Sequence, residues 1–185
     1  MTTDLNFALI IASVRPQRSA DLLLPWLRQH LGATPGLNLI EIDLRDAALN
    51  GAQMQPGGSA TVIADRLADA DGFLILVPEY NHSFPGALKD AIDLHYTQWE
   101  HKPVSFVGYG AASGGMRAIE QLRLIFPELR AMTTRDVVTV SAPWARSGDF
   151  TPTAAENGAL DATLADLSWW AHALRAARGH DEIAA

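Results

Sequence analysis

Phe73 to Ile92 reads FLILVPEYNHSFPGALKDAI, and this stretch decides the fold. Phe73 to Val77 are five apolar residues without a polar break, the pattern of a strand buried on both faces inside a parallel sheet. Pro78, Glu79, Tyr80, Asn81, His82 and Ser83 follow as a polar loop. Open α/β sheets bind their ligands at this carboxyl end of a strand. Pro85 and Gly86 then open a helical pattern in which Ala87, Leu88, Ala91 and Ile92 share one face.

Working outward, the same unit of strand, polar loop and helix recurs. Phe7 to Ala12 is a second continuous apolar run, followed by Ser13 to Ser19 and a helical pattern through about His30. Leu37 to Asp43 alternates more weakly, as an edge strand does, and leads to Asn50–Ser59, a Gly, Gln and Pro-rich loop long enough for a lid or an oligomer contact. Ala60 to Ala70 has helical spacing. Val104 to Tyr109 is the fourth strand, ending in a glycine-rich loop before a helix carrying Ile119, Leu122, Ile125 and Phe126. Val137 to Val140 is the fifth, and a last helix from about Leu160 to Ala177 aligns Leu160, Leu164, Leu167, Ala171 and Leu174. Five strands alternating with helices predict an α/β fold: a flavodoxin-like five-stranded parallel sheet of order 2-1-3-4-5 with helices on both faces. In that order the loops after Ala12, Val77 and Tyr109 converge at the switch point.

A chain of 185 residues with 48% apolar composition and no linker-like segment fits one domain over residues 1–185. Its net charge of −7, with arginines dispersed, argues against nucleic-acid binding. Without cysteine there is no disulfide, thiolate nucleophile or Cys-held cluster, so redox chemistry needs a cofactor. Metal catalysis lacks a ligand motif. The early Asp4 and the short first apolar run speak against a signal peptide or a membrane span, which gives a cytoplasmic expectation and leaves the Asn81-His82-Ser83 sequon without weight.

Each loop has two readings. Ser13, Arg15, Arg18 and Ser19 offer hydroxyls and guanidiniums at a helix N-terminus, where amides and dipole favour an anion. The plainer reading makes Ser19 a cap and the arginines solvated surface. Neither a Walker A lysine nor a G-x-G-x-x-G follows this strand, which favours a monophosphate over a dinucleotide. Pro78, Glu79, Tyr80 and Asn81 supply a stiff turn, an aromatic face and an amide suited to a planar ring, while His82 reads as an exposed polar residue. Ser113, Gly114 and Gly115 close a loop whose backbone can approach a ligand edge. Ala111 stands where a nucleophile elbow needs glycine, which sets esterase chemistry aside. Trp169 and Trp170 read as packing residues.

Pro78 to Asp93 (PEYNHSFPGALKDAID) closely resembles the signature of the NADPH-dependent FMN reductases of the flavodoxin-like superfamily. The likeness extends to SVRPQR at Ser13–Arg18 and to the Tyr109–Gly115 stretch, and covers most of the first 130 residues. The family's first loop often begins with Gly where this chain has Ala12, and Gln17 replaces a commonly small residue. The resemblance implies noncovalent FMN, with its phosphate on Ser13, Arg15 and either Arg18 or Ser19, and its ring against Pro78 to Asn81 and Ser113 to Gly115. It implies hydride transfer from NADPH or NADH to a small electron acceptor, in a homodimer or homotetramer. A flavodoxin-type carrier passing electrons to protein partners and a flavin-free binding protein are the competing expectations.

Overall fold

The computed structural model describes residues 4–49, 54–55, 61–146 and 149–181. Its strands are β1 (Leu5–Ile11), β2 (Leu37–Asp43), β3 (Gly72–Pro78), β4 (Pro103–Gly110), β5 (Met132–Thr133) and β6 (Val138–Ser141). The helices are α1 (Ala20–Ala33), α2 (Leu44–Ala47), α3 (Ala64–Asp69), α4 (Gly86–Leu94), α5 (Met116–Ile125) and α6 (Ala154–Asp181), with 3-10 turns at Phe126–Leu129 and Pro143–Ala145. The lid or oligomer contact expected at Asn50–Ser59 lies outside the described residues apart from Met54 and Gln55.

Every residue of β3 and β4 is buried, as the continuous apolar runs require. Alternation then divides the strands between two cores. Phe73, Ile75 and Val77 pack with Leu67, Leu88, Ile92 and Ile119 from α3, α4 and α5. Leu74 and Leu76 pack with Leu23, Leu27, Leu160 and Leu167 from α1 and α6. Each such side chain contributes about 1.5–3 kcal/mol through burial, so the two-faced pattern fixes the layers.

The sheet is parallel and runs β2-β1-β3-β4-β5, the expected order, with β6 as an additional strand on β4. β5 and β6 share the fifth position: Met132 and Thr133 pair with Pro103 and Val104, and Val138–Ser141 pair with Val107–Gly110. Side chains hold the break between them. Ser105 donates to the Asp136 carbonyl, and the Arg123 guanidinium donates to the carbonyls of Thr134 and Arg135. The strand expected at Val137–Val140 is β6, while two-residue β5 carries no apolar run to reveal it.

α6 begins six residues earlier than its hydrophobic stripe suggests, because Thr153 and Glu156 form a reciprocal capping box: the Glu156 N–H donates to Thr153 Oγ1 at 3.1 Å and the Thr153 N–H to Glu156 Oε2 at 2.7 Å. α3 is shorter than its pattern, starting at Ala64. The ladder aligns Ile11 with Leu76, Pro78 with Tyr109, and Tyr109 with Val140. Strands β1, β3, β4 and β6 therefore end side by side.

Candidate functional site

A cavity of about 140 Å3 lies between these strand ends. From the segment between β1 and α1 it takes Ser13, Arg15, Gln17, Arg18 and Ser19; from the end of β3, Pro78, Glu79 and Tyr80. Tyr109, Gly110 and Trp144 complete it. Larger hollows of about 670 and 620 Å3 are lined by α1 with the segment before α6, and by α4 with the turn after α5.

In the first loop the two arginines have opposite fates. Arg15 is exposed, with its guanidinium carbon 3.9 Å from the Tyr80 ring centroid, and it makes no hydrogen bond or ion pair with a described residue. Arg18 is buried. Its Nη1 donates to the Ser13 carbonyl and to Asp43 Oδ1, both at 2.7 Å, its Nη2 to Asp43 Oδ2 at 2.5 Å, and its Nε to Asp21 at 2.9 Å. Burial alone would raise the Asp43 pKa, but Arg18 and the Arg45 N–H outweigh it and hold Asp43 below the usual carboxylate range. Arg18, expected with Ser19 as an alternative at the phosphate, has its fork occupied by a bidentate partner at the end of β2 and braces the loop. Ser19 precedes α1 without using its side chain as a cap. The N–H groups of Val14, Arg15, Gln17 and Ser19 meet no acceptor among the described residues. Ser13 is fully buried and shares a 2.8 Å hydrogen bond with the Tyr80 hydroxyl.

The second loop is a tight turn. Tyr80 and Ser83 exchange backbone hydrogen bonds of 2.8 and 3.0 Å, and Asn81 and His82 adopt φ of +49° and +67°. This is the geometry of a type I′ turn, in which Asn and His tolerate the left-handed region. Gln121 pins it from α5, accepting from Ser83 Oγ and donating to the His82 carbonyl. Asn81 consequently sits at the turn's tip, outside the cavity lining, and His82 is exposed as expected.

Glu79 links the second loop to the third. Its carboxylate accepts from Ser113 Oγ at 2.5 Å, from the Arg117 N–H at 3.2 Å and from Arg117 Nη1 at 2.9 Å. Burial pushes its pKa up, but these donors prevail and hold Glu79 below the usual carboxylate range. The Glu79 and Ser113 side chains, expected to face a ligand, instead clasp each other. The glycines also differ from expectation. A Cβ on Gly115, at φ +94°, would stand 2.4 Å from the Tyr109 nitrogen, and one on Gly114 would meet Thr139 at 3.1 Å. Their missing side chains let the loop fold onto β4 and β6. The backbone N–H groups open at this loop are those of exposed Ala111 and Ala112, which have no acceptor among the described residues.

Sequence reasoning missed Gln17, Tyr109, Gly110 and Trp144. The signal for Trp144 was its place just beyond the fifth strand, the position the strand-end rule marks for ligands. Its indole is 53% exposed. The Ala142 N–H donates to the Gly110 carbonyl at 2.7 Å on one side of this turn, and Arg146 forks onto Glu156 on the other. Among the described residues no cluster of His, Asp and Glu could hold a metal, and no helix is long and apolar enough to cross a membrane.

Residues 5–145 match the family model described as NADPH-dependent FMN reductase. The chain is 28% identical over 143 residues to an NAD(P)H-dependent FMN reductase of Schizosaccharomyces pombe, covering 71% of each protein. Over 58 residues it is 45% identical to a quinone reductase of Escherichia coli, covering 30% of this chain and 29% of that protein. The flavoenzyme NAD(P)H:(acceptor) oxidoreductase FerB of Paracoccus denitrificans shares the fold, with a TM-score of 0.66, 19% identity, and coverage of 90% of this chain and 97% of that one.

Proposed function

Because the chain belongs to the NADPH-dependent FMN reductase family, we propose that it passes hydride from NADPH or NADH, by way of bound FMN, to a small acceptor such as a quinone or a free flavin. The observation that carries this reading is a set of donors without partners among the described residues around a phosphate-sized cavity. Arg15, the Ser19 hydroxyl and the loop N–H groups all meet at the start of α1, where the helix dipole adds positive potential. That set fits a terminal monophosphate. A cavity of about 140 Å3 is well below the ~300 Å3 at which sites for whole organic ligands begin, so it suits the phosphate end and not the ring.

Arg15 binds two phosphate oxygens with its planar fork, and Ser13 and Ser19 add hydroxyls. Bound FMN supplies the hydride chemistry. Pro78, Tyr80, Asn81 and the backbone of Glu79, together with Ser113, Gly114 and Gly115, form the ring side. Within it the Glu79, Ser113 and Arg117 clasp holds the second and third loops in fixed relation. This chain's residues orient and shield, and no side-chain acid or base is assigned. The chain acts as one domain over residues 1–185, in the cytoplasm. It pairs with copies of itself through the hollow that Ile92, Tyr96, Ile125 and Leu129 line between α4 and the turn after α5.

Titration with FMN, FAD and riboflavin, followed by two-substrate kinetics with NADPH and a quinone, tests the reading. Preference for FMN and parallel-line, ping-pong kinetics are expected, since both substrates use one flavin face in turn. FMN binding without any NADPH oxidation would make the protein an electron carrier of the flavodoxin kind.

A further inference from the structure

Tyr109 stands at the end of β4 and is 4% exposed. Its phenolic oxygen is buried and has no hydrogen-bond partner among the described residues. Buried hydroxyls nearly always have partners, and one without a partner destabilises the fold. Yet Tyr109 lines the same cavity as Ser13, Arg15 and Ser19. Its neighbours leave it no strong acceptor. The Ser13 hydroxyl is shared with Tyr80, Arg18 has only donors, and the Asp21 carboxylate receives Arg18 Nε. Burial also pushes the phenol's pKa up, and the nearby Ser13 hydroxyl, already shared with Tyr80, offsets only part of the rise, so the group stays a neutral donor at any physiological pH.

Resting on the FMN reading above, the geometry points to the Tyr109 hydroxyl as a buried donor to the flavin's phosphate, on a residue that lines the same cavity as exposed Arg15. A phosphate oxygen would give the phenol its missing acceptor, and the cavity has room for a phosphate but not for a ring. Tyr109 is thus a binding residue that carries an unfavourable contact in the free protein and loses it on loading. Sites held for function commonly show this trade of stability for binding.

Tyr109→Phe keeps the ring and removes only the oxygen, and three readouts decide its role. The FMN dissociation constant should rise about tenfold while that of riboflavin stays within about twofold. The flavin-free variant should unfold at a urea concentration equal to or above that of the wild type, because the unpaired hydroxyl is gone. Inorganic phosphate should raise the wild type's melting temperature more than the variant's. Unchanged FMN affinity, equal weakening of FMN and riboflavin, or a clearly lower urea midpoint would each overturn the assignment, the last by revealing a partner inside the free protein. If the wild type itself binds FMN and riboflavin equally, the phosphate reading of the whole cavity falls, and Tyr109 with it. That outcome is distinct from failure of Tyr109 alone.

Discussion

Both edges of the sheet carry charged and polar groups but treat them differently. At the amino edge, Asp71 accepts from the Asn6 N–H, Arg175 and Arg178, at 3.0 to 3.2 Å. Buried Lys102 donates to the carbonyls of Leu67 and Ala68 at 2.9 and 2.7 Å, covering the end of α3. At the carboxyl edge, Arg15 and the Tyr109 hydroxyl have no hydrogen-bond partner among the described residues beside a cavity, although Arg18, in the same loop as Arg15, is bonded through Nε, Nη1 and Nη2. A saturated cluster holds a fold together, while an unsaturated one in a cavity is disposed toward a ligand. The same residue types serve both ends, and satisfaction of their hydrogen bonds tells them apart.

Breaking the buried Arg18–Asp43 ion pair at the carboxyl edge should have the largest effect. Asp43→Ala leaves the Arg18 guanidinium buried without its fork partner, which costs about 3–5 kcal/mol. Urea unfolding measures this, and a loss under about 1 kcal/mol would mean that Arg18 reaches water in solution and is free to serve a ligand after all.

Arg15 should behave in the opposite way. Arg15→Ala is expected to leave stability within about 0.5 kcal/mol. It should weaken FMN binding by about 1.5–3 kcal/mol, roughly tenfold to a hundredfold or somewhat more, with riboflavin scarcely changed. Arg15→Lys should recover only part, since an ammonium offers a point charge in place of a fork. An FMN affinity within about twofold of wild type in a folded Arg15→Ala protein would remove Arg15 from the site.

The smallest effect lies at the amino edge. Burial first, then the Arg178 charge, lower the Lys102 pKa to about 8, with Asp71 and Asp69 offsetting part of the shift. The unfolded chain has a lysine pKa near 10.4, so between pH 8 and about 10.4 it binds more protons than the folded protein. Stability therefore rises with pH through that window, and the neutral amine still has two N–H groups for its two carbonyls. Above about pH 10 the raised Tyr109 pKa acts in the other direction, because the folded protein then holds the extra proton. Urea midpoints from pH 7.5 to 9.5 should rise in the wild type and stay level in Lys102→Met. A wild-type midpoint that falls over this range would show that the two carbonyls keep the ammonium charged.

Much of this was legible in the sequence for a physical reason. Apolar runs such as Phe73–Val77 report burial on both faces, and alternation of strand and helix leaves few ways to cover a parallel sheet. Strand order and the meeting of the loops after Ala12, Pro78 and Gly110 follow from that. Trp144 escaped because a short 3-10 turn has no period, although its place beyond the fifth strand was readable. β5 escaped because two residues cannot show alternation.

The sequence alone determined the five longer strands, which loops gather at one edge, and which residue types stand there, because these depend on local periodicity and chain order. Only the tertiary structure decided what each side chain does there. Arg15 and Arg18 lie three residues apart in one aperiodic loop, and the Asp43 that separates their roles is 25 residues from Arg18. Ser113, 34 residues from Glu79, takes that carboxylate away from the ligand side. Gly114 and Gly115 serve backbone approach to β4 and β6. Partners distant in the chain are chosen by the closing of the fold, and no local pattern records them.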